Sequence, residues 1–211
     1  MTAGPTHEPI DDVRFIGNRS SGAMGIALAD EAAARGEHCT LLLGPTSLTP
    51  AHSSVEVLRF RTTAELQALL HQQFPHCDIL VMAAAVADYR PIGQCKGKLP
   101  RRSQQLVLRL ESTPDLLVGL KPMRKKGQLV MGFALEPERT MLARAAAKLA
   151  RKGLDLIVAN PLETMESPLI RATVLSASGV VLNQRSPVSK RIFARKLVGM
   201  LLRSHRAATL S

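Results

Sequence analysis

The chain has 211 residues, 45% hydrophobic and 3% aromatic, with 28 Lys or Arg against 17 Asp or Glu, a formal net charge of +11. This length and apolar content fit a globular protein with one sizeable core, and no apolar run approaches the ~20 residues of a membrane span. A basic balance suits phosphorylated small molecules or nucleic acid, but so few aromatics leave little for a base-stacking platform.

The basic residues concentrate between Lys96 and Lys126 and in the tail after Glu166, which has no acidic residue. The N-terminus, polar and proline-containing, offers no signal-peptide core. The three cysteines, Cys39, Cys77 and Cys95, are odd in number and show no C-x-x-C spacing. A reduced, cytoplasmic protein without membrane contact is therefore expected.

Met1 to Asp11 reads as a loop from its Gly and Pro content. A short apolar run then meets the turn Gly17-Asn18-Arg19-Ser20-Ser21-Gly22, and a helix is predicted from Gly22 to Gly36. Ser20 and Ser21 are N-cap types, so free N–H groups are expected there, a ready site for a phosphate. A plain strand-to-helix turn needs the same glycines. His38–Gly44 and Val55–Phe60 read as strands, and Thr62 or Thr63 caps a helix through Gln73.

Asp78–Ala84 is the strongest buried-strand candidate and runs into Ala85-Val86-Ala87-Asp88-Tyr89-Arg90-Pro91. A basic excursion spans Gly93 to Arg102, and Gln105–Leu110 alternates as a strand. Thr113 and Pro114 supply an N-cap and an N1 proline for the next helix. Leu129–Ala134 is a strand, Glu138–Lys152 a helix closed by Gly153, and Leu154–Ala159 a strand ending at Asn160. A hairpin of Ala172–Ser176 and Val180–Asn183 and a basic helix from Val188 to Leu202 complete the chain. The alternation predicts one α/β domain: three layers, Rossmann-like, a mainly parallel sheet with helices on both faces and a C-terminal hairpin plus helix.

In such sheets ligands bind at the carboxyl ends of the strands, where Asn18–Gly25, Ala84–Arg90, Gly132–Glu136 and Asn160 fall. G-x-G-x-x-G is absent, which disfavours a nicotinamide cofactor, and Ala23-Met24 after Gly22 excludes a P-loop. Asp88 suits a ribose, a base or Mg²⁺, and equally a salt bridge to Arg90. Lys98 suits a triphosphate or is a solvated loop cation; Lys148 and Lys152 share a helix face, for a polyphosphate or for water. Phe133 stacks on a base or belongs to the core. The histidines show no metal-ligand spacing.

The segments T-A-G-P-T-H-E-P-I-D-D-V-R-F-I-G-N-R-S-S-G-A-M-G, A-A-A-V-A-D-Y-R-P, S-T-P-D-L-L, G-F-A-L-E and K-G-L-D-L-I-V-A-N occur in that order between Thr2 and Asn160. Together they resemble the phosphopantothenate–cysteine ligase domain of the bacterial coenzyme A pathway, usually fused behind a flavin-dependent decarboxylase. The resemblance implies a two-step ligation. The carboxylate of 4′-phosphopantothenate attacks the α-phosphorus of CTP to give an acyl-cytidylate and pyrophosphate, and the amine of L-cysteine then displaces CMP. It implies Mg²⁺ with the triphosphate and no flavin in this chain.

By the same resemblance Asn18 holds the acyl-cytidylate and Arg14 contacts the phosphopantothenate side, with Ser20, Ser21 and Gly22 forming the phosphate turn. Met82, Ala83, Ala84 and Asp88 line the nucleotide, and Lys98 matches the mobile lysine that acts in forming the intermediate. Pro114, Asp115, Leu116, Leu117, Phe133, Lys148 and Lys152 match further nucleotide contacts. A homodimer is expected, with a separate decarboxylase as a partner and no nucleic acid. No residue reads cytosine by itself, so ATP is the alternative nucleotide and an impaired regulatory module the alternative function.

Departures from the family pattern lie at Lys96-Gly97-Lys98-Leu99 for K-I-K-K, at Glu136-Pro137 and Asn160-Pro161, and at Glu166–Arg171 in place of a polar G-S-[DE]-x-N segment. The family carries an apolar strand just before T-A-G, whereas this sequence opens Met1-Thr2. Either a start further upstream or another segment is then expected to fill the central strand position.

Overall fold

A computed structural model describes residues 1–101 and 105–209. In chain order the elements are β1 (Thr2–Ala3), β2 (His7–Pro9), β3 (Phe15–Gly17), α1 (Ala23–Ala34), β4 (Thr40–Leu43), β5 (Glu56–Arg59), α2 (Thr63–Gln73) and β6 (Ile79–Met82). Then follow β7 (Tyr89–Pro91), β8 (Leu110–Ser112), α3 (Leu116–Leu120), β9 (Leu129–Glu136), α4 (Met141–Lys152), β10 (Leu156–Pro161), β11 (Leu169–Ser176), β12 (Gly179–Ser189) and α5 (Lys190–Thr209). One eight-stranded sheet has the order β12-β11-β10-β9-β6-β1-β4-β5. Its β10-to-β5 portion is parallel throughout, and β11 and β12 add an antiparallel hairpin edge.

The mainly parallel, three-layer architecture expected from the sequence is thus present. Helices α1 and α5 pack on one face, where Leu28, Ala29, Phe193, Leu197 and Leu201 meet Leu41, Val81 and Val158. Leu66, Leu70, Leu116, Leu117, Ala145 and Leu149 from α2, α3 and α4 meet Leu80, Val130 and Ile157 on the other. Burial on both faces explains why the central strands read as continuous apolar runs.

Two short ribbons, β2–β3 and β7–β8, lie outside the main sheet. The chain winds outward from β1 through β4 to β5, then returns to β6 on the other side of β1. The carboxyl ends of β1 and β6 therefore form the topological switch point, where open α/β sheets bind ligands.

Several boundaries differ from the sequence expectation. Met1–Asp11 is not a plain loop: Thr2–Ala3 pairs between β4 and β6 at the centre of the sheet, and His7–Pro9 forms β2. Beneath β1, a cavity of about 330 Å³ is lined by Met1, Thr40, Leu42, Ile79 and Leu80 among others. Residues 105–109 are not a strand, and β8 begins at Leu110. Ser20 and Ser21 do not cap α1; Gly22 does, with φ 73° and no side-chain cap. Thr113 does not cap α3 because its Oγ1 donates to the Ala87 carbonyl at 2.5 Å, and Asp115 caps instead. Arg102, the end of the expected basic excursion, lies outside the described residues.

Candidate active site at the sheet switch point

The segment Thr2–Thr6 builds the floor of the site by clasping the residues after β6. The Ala84 amide donates to Thr2 Oγ1 at 3.0 Å, the Ala85 amide to the Gly4 carbonyl at 2.9 Å, and the Ala87 amide to Thr6 Oγ1 at 2.9 Å. The Thr6 amide in turn donates to the Ala85 carbonyl at 3.2 Å. Small side chains are needed here because two backbones run side by side. Gly4 sits at φ 82° against Gly44, and a Cβ at Gly44 would lie 2.2 Å from the Pro5 carbonyl oxygen.

Against this floor stands the turn that starts α1. The Asn18 side-chain amide donates to the carbonyls of Val86 at 2.9 Å and Ala85 at 3.3 Å. Its Oδ1 receives no hydrogen bond from the described residues and is left as a free acceptor. A cavity of about 210 Å³ opens beside the turn, with Ser20–Gly25, Ala83–Ala85, Phe133 and Asn160 in its wall. Ser20, Ser21, Gly22, Ala83, Ala84 and Phe133 are thereby brought together. The amides of Gly22 and Ala23 donate to Ser20 Oγ and Ser21 Oγ, each at 3.4 Å, and the positive end of the α1 dipole adds a suitable setting for a phosphate.

A second loop is pinned across the same turn by two aspartates. The buried Asp11 carboxylate accepts from the amides of Val13 (2.9 Å), Arg14 (2.7 Å) and Leu99 (3.0 Å), and from the Arg14 guanidinium. Arg14 holds its carboxyl well below the usual carboxylate range, against the opposing effect of burial and with help from the three amides. Asp12 accepts from the Gly97 amide at 2.7 Å, and the Gly97 carbonyl accepts from the Asp12 amide at 3.2 Å. Arg14 also donates to the Leu99 carbonyl at 2.8 Å. Lys98, exposed and bracketed by these anchors, stands beside the Asp11–Arg14 turn that leads into β3, while Arg14 is committed largely to the clamp.

The remaining candidates lie on the α3–α4 side. Asp88 is exposed, and its carbonyl accepts from the Thr113 amide at 2.9 Å, which places it beside Pro114. Met82, Leu116 and Leu117 are buried in the core of that face. Lys152 pairs with Asp115 at 3.1 Å and Lys148 with Glu136 at 2.6 Å. Burial favours the neutral Glu136 acid, but Lys148 and Arg144 outweigh it and its pKa is lowered. These two lysines therefore carry internal partners, and neither lines the cavity beside Asn18.

Three charged residues of the cavity wall escaped the sequence reading: Arg19, Glu166 and Lys190. Glu166 has φ 56°, the one positive φ outside glycine among the described residues. Lys190 begins α5. Neither position carries a sequence signal, since Glu166 sits in an unmatched loop and Lys190 is one of several cations on a basic helix. Among the described residues no three His, Cys, Asp or Glu side chains gather as a metal cage, and no helix is long and apolar enough to cross a membrane.

Residues 1–204 match the family model of the DNA/pantothenate metabolism flavoprotein C-terminal domain. A cysteine/cysteine sulfinic acid decarboxylase from an unknown prokaryotic organism is 48% identical over 163 residues, covering 77% of this chain and 45% of that protein. The coenzyme A biosynthesis bifunctional protein CoaBC of Mycobacterium bovis is 42% identical over 169 residues, covering 76% of this chain and 40% of that protein. The chain thus spans less than half the length of these curated relatives. A crystal structure of the C-terminal domain of CoaBC superposes with a TM-score of 0.77 at 34% identity, covering 95% of this chain and 91% of that one.

Proposed function

The chain belongs to the DNA/pantothenate metabolism flavoprotein C-terminal domain family, and from that premise we propose that it is a phosphopantothenate–cysteine ligase domain using CTP. One observation carries this reading: at the switch point Asn18 is hydrogen-bonded to the segment after β6, and the α1 turn and Ala83–Ala85 of that segment wall one cavity, while the Lys98 loop is tied to Asp11 and Asp12 ahead of Asn18. Such a site brings a phosphate cradle, a mobile cation and a free amide acceptor within reach of one bound acyl phosphate.

In the first step a carboxylate oxygen of 4′-phosphopantothenate attacks the α-phosphorus of CTP. The new O–P bond forms as the bond to pyrophosphate breaks. Lys98 neutralises charge on the phosphoryl oxygens, and the N–H groups at the start of α1 hold the phosphates. Arg14 keeps the Lys98 loop in place through Leu99. In the second step the cysteine amine attacks the acyl carbon, the amide forms, CMP leaves and the amine loses its proton. Asn18 holds the acyl group for that attack, its own amide fixed by Val86 and Ala85.

Mg²⁺ fits this site as a companion of the nucleotide, with phosphate oxygens as most of its ligands and Glu166 on the cavity wall as the protein's carboxylate. Bound there, it would neutralise triphosphate charge. The exposed apolar side chains of Val13, Phe15, Tyr89, Ile92 and Val107 support a homodimer through the two ribbons. Sedimentation of a monomer at micromolar concentration would remove that part.

The test is pyrophosphate release. Release from CTP is expected only with phosphopantothenate and Mg²⁺, and amide on adding cysteine; no release from CTP or ATP sinks the proposal. Asn18→Ala is expected to spare pyrophosphate release and impair amide formation. Equal loss of both steps would count against its role.

A further inference from the structure

We infer that Lys190 is a phosphate-binding residue of this cavity, engaging the polyphosphate of the nucleotide together with the Ser20–Gly22 turn that lines it too. The inference rests on the nucleotide reading of the site but is read out by binding rather than by turnover.

Three observations point to it. Lys190 and the start of α1 line the same cavity, and the apolar face of α5 is locked against the sheet and α1 through Phe193, Ala194 and Leu197. The backbone of Lys190 is therefore held by the fold and not by a loop. Secondly, Lys190 is only partly exposed and yet has no ion pair or side-chain hydrogen bond with the described residues. Other partly covered lysines do have partners: Lys148 has Glu136, and Lys152 has Asp115. Burial alone pushes the Lys190 ammonium down from its ordinary pKa, with no carboxylate offsetting it.

Thirdly, the charge is on the wrong end of the helix for stability. Lys190 is the first residue of α5, the first turn holds no acidic residue, and the Ile192 amide donates to Ser189 Oγ at 3.3 Å. A cation in that turn opposes the helix dipole. A desolvated, dipole-opposed and unpaired ammonium is disfavoured in the free protein, and a phosphate would reverse each of those disadvantages.

The experiment compares the wild type with Lys190→Gln and Lys190→Arg by calorimetry and thermal shift, using CTP, inorganic tripolyphosphate and cytidine as probes. Without ligand, Lys190→Gln is expected to melt at or above the wild-type temperature. Its affinity for CTP and for tripolyphosphate is expected to fall roughly 10- to 100-fold, the scale of one charge-assisted hydrogen bond. Cytidine binding should not change, and Lys190→Arg should recover most of the loss. Equal tripolyphosphate affinity in Lys190→Gln and wild type overturns the inference, as does a marked loss of stability in the free variant. Tripolyphosphate binding that needs Lys190, with no CTP turnover in the wild type, would sink the ligase reading and leave this one standing.

Discussion

Gly25 is the contact on which the position of the α1 turn depends, and Gly25→Ala tests it. A Cβ at Gly25 would lie 2.5 Å from the Ala3 Cβ, 2.7 Å from the Thr2 carbonyl oxygen and 3.1 Å from the Ala3 Cα. Carbon atoms prefer about 3.5–4.0 Å, so α1 must retreat from β1 by roughly 1 Å. Ala is favoured over Gly in a helix by about 1 kcal/mol, whereas overpacking costs about 1–3 kcal/mol and here meets backbone that cannot rotate away. A net loss of up to about 2 kcal/mol is expected, or up to about 8 °C in melting temperature for a chain of this size. The start of α1 would also shift relative to Ala83–Ala85, so CTP affinity should fall.

Gly119, in α3, is the internal control. A Cβ there meets nothing within 4 Å, so Gly119→Ala should stabilise by about 0.5–1 kcal/mol through propensity alone. Thermal and urea unfolding of both variants, with a CTP titration, decides the matter. Gly25→Ala as stable as Gly119→Ala, with unchanged CTP affinity, would refute the close-packing reasoning.

Other outcomes follow from the same geometry. Glu166→Gly should stabilise by about 0.5–1 kcal/mol in urea unfolding, because a non-glycine residue held at positive φ is strained while glycine loses more entropy; destabilisation would show that the Glu166 side chain is needed for folding. Glu136→Gln should destabilise at neutral pH by leaving Lys148 and Arg144 without their carboxylate. The folded pKa of Glu136 is lowered, so its contribution is present above the unfolded value and lost as pH falls through the folded one. The difference between wild type and Glu136→Gln should therefore shrink as pH is taken below about 4.5, and a constant difference down to acid pH would contradict the pairing. Asp11→Asn releases the Arg14 guanidinium from its ion pair and is expected to slow pyrophosphate release at least about tenfold while changing CTP affinity less; the two measured together separate loop positioning from binding.

Helices and strands were legible where local chemistry and burial agree. Thr62 caps α2 in a reciprocal capping box with Glu65, and Gly153 closes α4 at φ 64°. The apolar runs at Thr40–Leu43 and Ile79–Met82 are the buried strands β4 and β6. Met1–Asp11 was misread because its order comes from distant partners. Glu8 accepts from the Thr63 amide at 2.8 Å and hydroxyl at 2.7 Å, and no local pattern announces a buried carboxylate paired 55 residues away. Thr113 failed as a cap for a similar reason, since the Ala87 carbonyl took its hydroxyl.

In the site, Ala83, Ala84 and Phe133, singled out from the sequence, line the cavity at the switch point, where strand ends define the pocket in an open sheet. The cations are less legible. Lys148 and Lys152 suit a polyphosphate or solvent from spacing alone, and the structure gives them the partners Glu136 and Asp115, which spacing along one helix does not reveal. Lys190 looked like one more basic residue of α5 but lines the cavity itself. The loop departure Lys96-Gly97-Lys98-Leu99 has a local rationale in the same terms. Gly97 sits at φ 75° in open space while its amide and carbonyl both bind Asp12. A β-branched residue at that φ would strain the turn, so glycine here is what lets the two aspartates draw the loop inward. The loop is thus tethered at Gly97 and Leu99, and Lys98 between them is left free to turn toward a ligand.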